Sequence, residues 1–196
     1  IYEARNAAPM LIGKIAEPFD DAESLFELKL DGERCLAYLG EGKATLVNRR
    51  GFAVLPRLPE MRALYKQVGG RCVLDGELIT GVGGKKDFDG VKGRLAHQSR
   101  AKIELGAKQM PVSYVVFDIL YWNGKELVDR PLVYRKELLG KVVAESERMS
   151  VARTVQGSGK AFYELAVKNG FEGVVGKRLN SMYRMGKRTN EWATVS

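Results

Sequence analysis

Apolar and charged residues alternate from Phe26 to Asp31: Phe26, Leu28 and Leu30 on one parity, Glu27, Lys29 and Asp31 on the other. Side chains alternate across an extended strand, so the pattern predicts a strand with one charged face. Similar strand signals cover 25–31, 34–39, 43–48, 71–80, 112–122 and 172–177, separated by Gly or Asp turns. Helical spacing appears over 57–67, 133–146 and 158–169, with a short helix over 87–95. Ser158 is placed to cap the helix at 158–169, and Gly170 to end it. Strands outnumber helices and mostly follow one another directly. The expected class is therefore α+β, with largely antiparallel sheets flanked by helices.

Composition adds bounds. A chain of 196 residues suits one domain. No apolar run approaches the length of a membrane span, and the N-terminus lacks a signal-peptide pattern. Cys35 and Cys72 lie in apolar strand-like stretches without metal-ligand spacing, which predicts reduced thiols and a cytoplasmic protein. The single histidine, His97, argues against a histidine zinc site or a Ser-His-Asp triad. A net charge of +8 suits a polyanion partner and equally a basic enzyme of no such partner. The basic stretches 83–94, with Lys85 and Lys86, and 177–188 hold glycines and are the sort of loop that reaches a phosphate backbone.

Lys29 carries the sharpest chemical question. An ordinary lysine amine, pKa about 10.4, is neutral in only about one molecule in a thousand near pH 7. Glu27 and Asp31 would hold the proton on, so a nucleophilic Lys29 needs positive charge brought to the site, for example by a metal-bound nucleotide. Taken alone, the stretch is better explained by a solvated strand face with cross-strand ion pairs.

Five further observations narrow the choice. "KLDGER" at 29–34 is similar to the K-x-D-G-x-R signature of covalent nucleotidyltransferases. "NRRG" at 48–51, "LDGELI" at 74–79, "YVVFDILYWNG" at 114–124 and "EGVVGK" at 172–177 follow in the order found in that superfamily. Together they resemble the adenylation domain of an ATP-dependent DNA ligase, of the bacterial repair and end-joining type. The resemblance implies a nucleotidyltransferase (ATP-grasp-like) fold, residues 1–196 forming a single adenylation domain without the oligonucleotide-binding module that follows in the family.

It also implies roles. Lys29 would attack the α-phosphorus of ATP and carry AMP as a phosphoramidate, with Lys177 on the α-phosphate. Glu27 would lie at the adenine side, Arg34 and Arg49 at ribose and phosphate, Glu77 at ribose or metal, and Phe117 against adenine. Glu172, Glu77 and Asp31 would hold Mg2+ or Mn2+, and Arg188 would assist at the phosphates. The implied partner is nicked or broken duplex DNA, and the implied form a monomer at the bacterial nucleoid. Glu172 and Lys177, five residues apart, would face opposite sides of a regular strand, so a bulge, a twist or a strand end is expected between them. The family's closing W-x-K-x-K departs here: Trp192 is present, but Thr194 and Ser196 stand where two lysines belong. Weak adenylation, leaning on Lys177 and Arg188, is the expected consequence. A catalytically impaired nucleotide- or DNA-binding module, an RNA ligase and a capping-type enzyme using GTP stay open at this point.

Overall fold

The structure, a computed structural model, describes residues 1–81 and 88–196, with the side chains of Phe88 and Asp89 excepted. Lys85 and Lys86 of the first basic loop lie outside the described residues.

Eleven strands and four α-helices are found in chain order among the described residues. The strands are β1 (Leu11–Ala16), β2 (Asp21–Leu28), β3 (Glu33–Gly40), β4 (Lys43–Asn48), β5 (Cys72–Ile79), β6 (Ser113–Trp122), β7 (Lys125–Glu126), β8 (Met149–Val151), β9 (Val155–Gly157), β10 (Val174–Arg178) and β11 (Arg188–Val195). The helices are α1 (Phe88–Ala96), α2 (Arg100–Gln109), α3 (Leu132–Val142) and α4 (Gly159–Lys168). One sheet runs β1-β11-β10-β2-β9, the other β4-β3-β5-β6-β7 with β8 beside β6. Pairing is antiparallel except for β1 with β11 and β6 with β8. The α+β expectation with largely antiparallel sheets holds.

The two sheets face each other, and helices cover their outer faces. The outer face of the second sheet buries Cys35, Ala37 and Leu39 of β3 against Leu58, Met61, Val91 and Leu139. Its inner face turns Leu36 and Tyr38 toward Met10, Tyr183 and Trp192 of the first sheet's side. Both faces of β3 are thus covered, which is why "CLAYL" reads as a continuous apolar run rather than an alternation. On the far side of the first sheet, Phe26, Val174 and Val195 pack against Ala166 of α4.

Differences from the sequence reading have local causes. The stretch 57–67 forms three short 3-10 turns, Leu55–Arg57, Pro59–Met61 and Leu64–Gln67, because Pro56 and Pro59 cannot supply the amide hydrogens of a continuous helix. α3 stops at Val142, where Val143 turns to bridge Val68. Ser158 stands at the start of α4, yet its side chain makes no capping bond. Gly170, with φ 91°, closes that helix; Phe171 N donates to Ala166 O there. β2 ends at Leu28, so Lys29 sits just past the strand, its amide still bonded to Gly173 O at 3.1 Å.

Candidate active site

Between the sheets lies a cavity of about 280 Å³, lined by Glu27, Lys29, Arg34, Arg49, Glu77, Phe117, Lys177, Ile12, Val175 and Trp192 among others. Seven residues named from the sequence therefore meet in one place. Alternation along β2 explains the first: Phe26 turns to α4, and Glu27 turns to the cleft. A second cavity of about 510 Å³ adjoins it and shares Ile12, Lys29, Arg34 and Arg49. Its other lining includes Lys14, Arg188, Thr194 and Ser196, and no acidic residue. Lys29 stands at the seam of the two.

Two glycines make the close approach of elements here physically necessary. A Cβ on Gly32 would overlap Leu78 O, and one on Gly76 would overlap Val115 O. The Gly32 amide is thereby brought to Glu77, donating to Oε2 at 3.2 Å. Burial pushes the Glu77 carboxyl up to about 8, against the pull of the Arg34 guanidinium. Lys29 Nζ lies 3.5 Å from Glu172 Oε2, with both side chains partly open to water. The difficulty of Glu172 and Lys177 resolves through a strand boundary: β10 begins at Val174, so Glu172 belongs to the preceding turn.

The geometry corrects several sequence expectations. Lys177 does not sit beside Lys29. Its residue pairs with Leu25 on β2, four residues before Lys29, or about 13 Å of extended chain. Its buried ammonium donates to Glu27 Oε1 at 2.7 Å and lies 4.0 Å from the Phe117 ring centre and 4.2 Å from that of Trp192. Strand register thus sets Lys177 beside Glu27, Phe117 and Trp192 and apart from Lys29. Arg34 is not free for a nucleotide either. Its guanidinium grips Asp75 through two bonds, 2.7 and 2.6 Å, gives a third to Met10 O at 2.9 Å, and lies 5.0 Å over Phe117. Burial disfavours its charge, yet Asp75 more than offsets this and the pKa is raised. Asp75 also accepts from Tyr183 Oη at 2.5 Å, so it is the buried anchor of Arg34. Asp31 lies past the end of β2 and lines neither cavity. Among the described residues no three His, Cys, Asp or Glu side chains gather as a metal cluster, so Asp31, Glu77 and Glu172 do not converge.

The sequence reading missed Lys136 of α3. Its ammonium donates to Glu27 Oε2 and to Phe117 O, the latter at 2.6 Å. Burial raises the Glu27 pKa, but Lys136 and Lys177 together win and lower it, so Glu27 is an ionised carboxylate between two ammonium groups. The same two lysines share one acid; burial holds Lys177 below the ordinary lysine pKa despite Glu27. A buried glutamate demands a cation, but no spacing in "YRKELLG" says that Lys136 supplies it. Asp118 pairs with Arg135 at 2.8 Å, both fully buried, a structural ion pair behind Phe117.

Phe117 has Trp192 edge-on at 6.5 Å. One cavity is therefore narrow, aromatic and partly apolar, the other wide and cationic. That is the shape of a pocket for a flat heterocycle joined to an anionic tail.

Comparison with known proteins agrees with this chemistry. Residues 7–195 match the family described as ATP dependent DNA ligase domain. The chain is 33% identical over 189 residues to the SPbeta prophage-derived DNA ligase-like protein LigB of Bacillus subtilis, covering 96% of this chain and 66% of that protein. It is 32% identical over 208 residues to a DNA ligase of Thermococcus fumicolans, covering all of this chain and 37% of that protein. Its fold is similar to a mycobacterial DNA ligase D complexed with ATP and MES, with a TM-score of 0.79, 26% identity, and coverage of 97% of this chain and 60% of that one. The chain thus spans between about a third and two thirds of these proteins. Among its described residues no helix is long and apolar enough to cross a membrane.

Proposed function

The chain belongs to the ATP dependent DNA ligase domain family, and on that premise we propose that it is the catalytic core of an ATP-dependent DNA ligase acting on nicked or broken duplex DNA. The observation that carries the reading is the position of Lys29 at the seam of the aromatic and the cationic cavity. A nucleotide lying across both puts its α-phosphorus at that amine.

In the first half-reaction Lys29 Nζ, having shed its proton, bonds to the α-phosphorus. The bond from that phosphorus to the β-phosphate oxygen breaks, and its electron pair leaves with pyrophosphate. Covalent capture as a phosphoramidate divides one difficult transfer into two easier ones. Glu172, 3.5 Å from the amine, is the carboxylate within reach of its departing proton. Phe117 and Trp192 supply the flat surface for adenine, with Glu27, Lys136 and Lys177 as the polar groups at that end. Arg49 and Arg188 hold the phosphates, where guanidinium forks suit oxyanions. The AMP then passes to a DNA 5′-phosphate, and attack by the neighbouring 3′-hydroxyl seals the strand and releases AMP.

Glu77 and Glu172 are hard oxygen donors, and one or two carboxylates plus substrate phosphates is how Mg2+ is usually held. The two do not converge with a third acid among the described residues; Glu172, beside Lys29, is the carboxylate that would join the substrate phosphates in holding Mg2+ or Mn2+, and the ion would neutralise charge on those phosphates.

The test is incubation with α-labelled ATP and Mg2+, followed by a denaturing gel. A covalent label lost in Lys29→Ala and competed by ATP over GTP is expected. ATP binding with no covalent label would instead indicate an impaired binding module, the reading motivated by Thr194 and Ser196.

A further inference from the structure

The aromatic cavity is braced from behind by α3, which two adjacent side chains pin to both sheets. Arg135 donates twice to Asp118 of β6, at 2.8 and 3.1 Å, and once to Ser181 O, just past β10, at 2.9 Å. Lys136 donates to Glu27 of β2 and, at 2.6 Å, to the carbonyl of Phe117 on β6. The amides of Leu132 and Val133 add bonds to Ser181 O and Leu179 O, at 2.9 and 3.0 Å.

Lys136 lines neither cavity, and its side chain is only 12% exposed. It is placed to act through Glu27 and not on a ligand directly. Glu27 does line the aromatic cavity, beside Phe117. Its carboxylate takes Lys177 on Oε1 and Lys136 on Oε2. That leaves about half of its roughly four lone-pair sites for a ligand. Being ionised, it accepts hydrogen bonds and has no proton to give. A flat ring lying on Phe117 with an amino group at its edge finds a partner there, whereas an oxygen at the same place meets a second acceptor. Adenine carries that amino group, guanine an oxygen. Lys136 is bonded both to this acceptor and to the backbone of the ring residue, so it fixes the offset between them. Lys177 touches the same two groups from inside the cavity, where a bound base can move it.

We propose that Lys136 is a positioning residue for base selection: by tying Glu27 to the Phe117 carbonyl, it holds the acceptor where the 6-amino group of a purine stacked on Phe117 arrives. The inference rests on the nucleotide reading above and deepens it. It assigns the choice of base to a helix outside the five motif stretches.

Binding of ATP and of purine riboside triphosphate, which is ATP without the 6-amino group, is to be measured by calorimetry for the wild type, Lys136→Met and Lys136→Arg, with thermal unfolding and covalent labelling of each. The wild type is expected to prefer ATP about tenfold, the size of one charged hydrogen bond. Lys136→Met leaves Glu27 paired with Lys177, so no buried charge is stranded. It should lose most of the preference by weakening ATP while sparing the analogue. Lys136→Arg, which keeps a cationic donor, should retain it. If methionine unfolds the chain, Lys136→Gln replaces it, with the same loss expected. A merely structural role would weaken both nucleotides alike. Equal weakening of both, or a preference that survives the loss of Lys136, overturns the inference, and so does a wild type without the preference. If the preference depends on Lys136 but no covalent AMP forms, the positioning role stands and the ligase reading falls. If covalent AMP forms and the preference ignores Lys136, the ligase reading stands and the positioning role falls.

Discussion

Glu27→Gln replaces an ionised carboxylate, held between Lys136 and Lys177, with a neutral amide of the same shape. Glu27 and Lys177 are each 3% exposed, so water cannot stand in for the lost charge. Breaking a buried pair by removing one partner costs about 3–5 kcal/mol. The variant has one way to limit this: Lys177, already held below the usual lysine range by burial, can fold neutral. Taking the proton from a lysine of ordinary pKa at pH 7 costs at most about 5 kcal/mol, which caps the deficit. The sign with pH follows from proton counts. In the variant the unfolded chain binds one proton more than the folded one, so stability rises by about 1.4 kcal/mol per pH unit. The cap therefore falls to about 2 kcal/mol at pH 9. With roughly 2–4 °C per kcal/mol for a chain of this size, Tm should drop by about 10 °C at pH 7 and by less than half of that at pH 9. Calorimetry on wild type and variant at both pH values measures it. A drop below about 2 °C at pH 7, or an equal deficit at both, would refute the reasoning.

Two other perturbations test the same architecture. The Glu77 carboxyl, pushed up to about 8 from 4.5, keeps its proton in the fold where an unfolded glutamate has lost it. The wild type therefore loses stability as pH rises between those values, and Glu77→Gln should gain on it by up to about 1.4 kcal/mol per pH unit in urea titrations; parallel curves would count against the raised pKa. Gly32→Ala drives a methyl into Leu78 O, and should cost about 1–3 kcal/mol and at least tenfold in covalent AMP, since the loop behind Lys29 must shift. Unaltered Tm and labelling would show that the close approach is unimportant.

What was legible in the sequence is mostly local. The strands that carry motifs, β2 to β6 and β10, announce themselves by alternation or apolar runs, and the glycines at 32 and 76 mark where backbones meet. Hence Lys29, Glu27, Arg49, Glu77 and Phe117, grouped by their motifs, line one cavity in the structure. What failed is long-range. β1 reads as an unremarkable "LIGKIA" until β11, 177 residues later at Leu11↔Arg188, gives it a partner. α2, opened by Ser99 accepting from Lys102 N, carries too weak an apolar stripe to stand out. Lys177 and Arg34 have the right residue types for phosphate, but register puts one opposite Leu25 and a buried Asp75 captures the other. Motif spacing reports which residues share a cleft; only pairing tells which end each occupies.

The parallel pairing of β1 with β11 has a mechanical side. The chain enters the pair at Leu11 and leaves it at Val195, at opposite ends of the same ladder. Tension between the flanks of this domain would load those hydrogen bonds together, in shear, instead of opening them one by one. A tethered domain pulled along a broken strand would thus keep the wall of its cationic cavity intact up to forces that would unzip a hairpin.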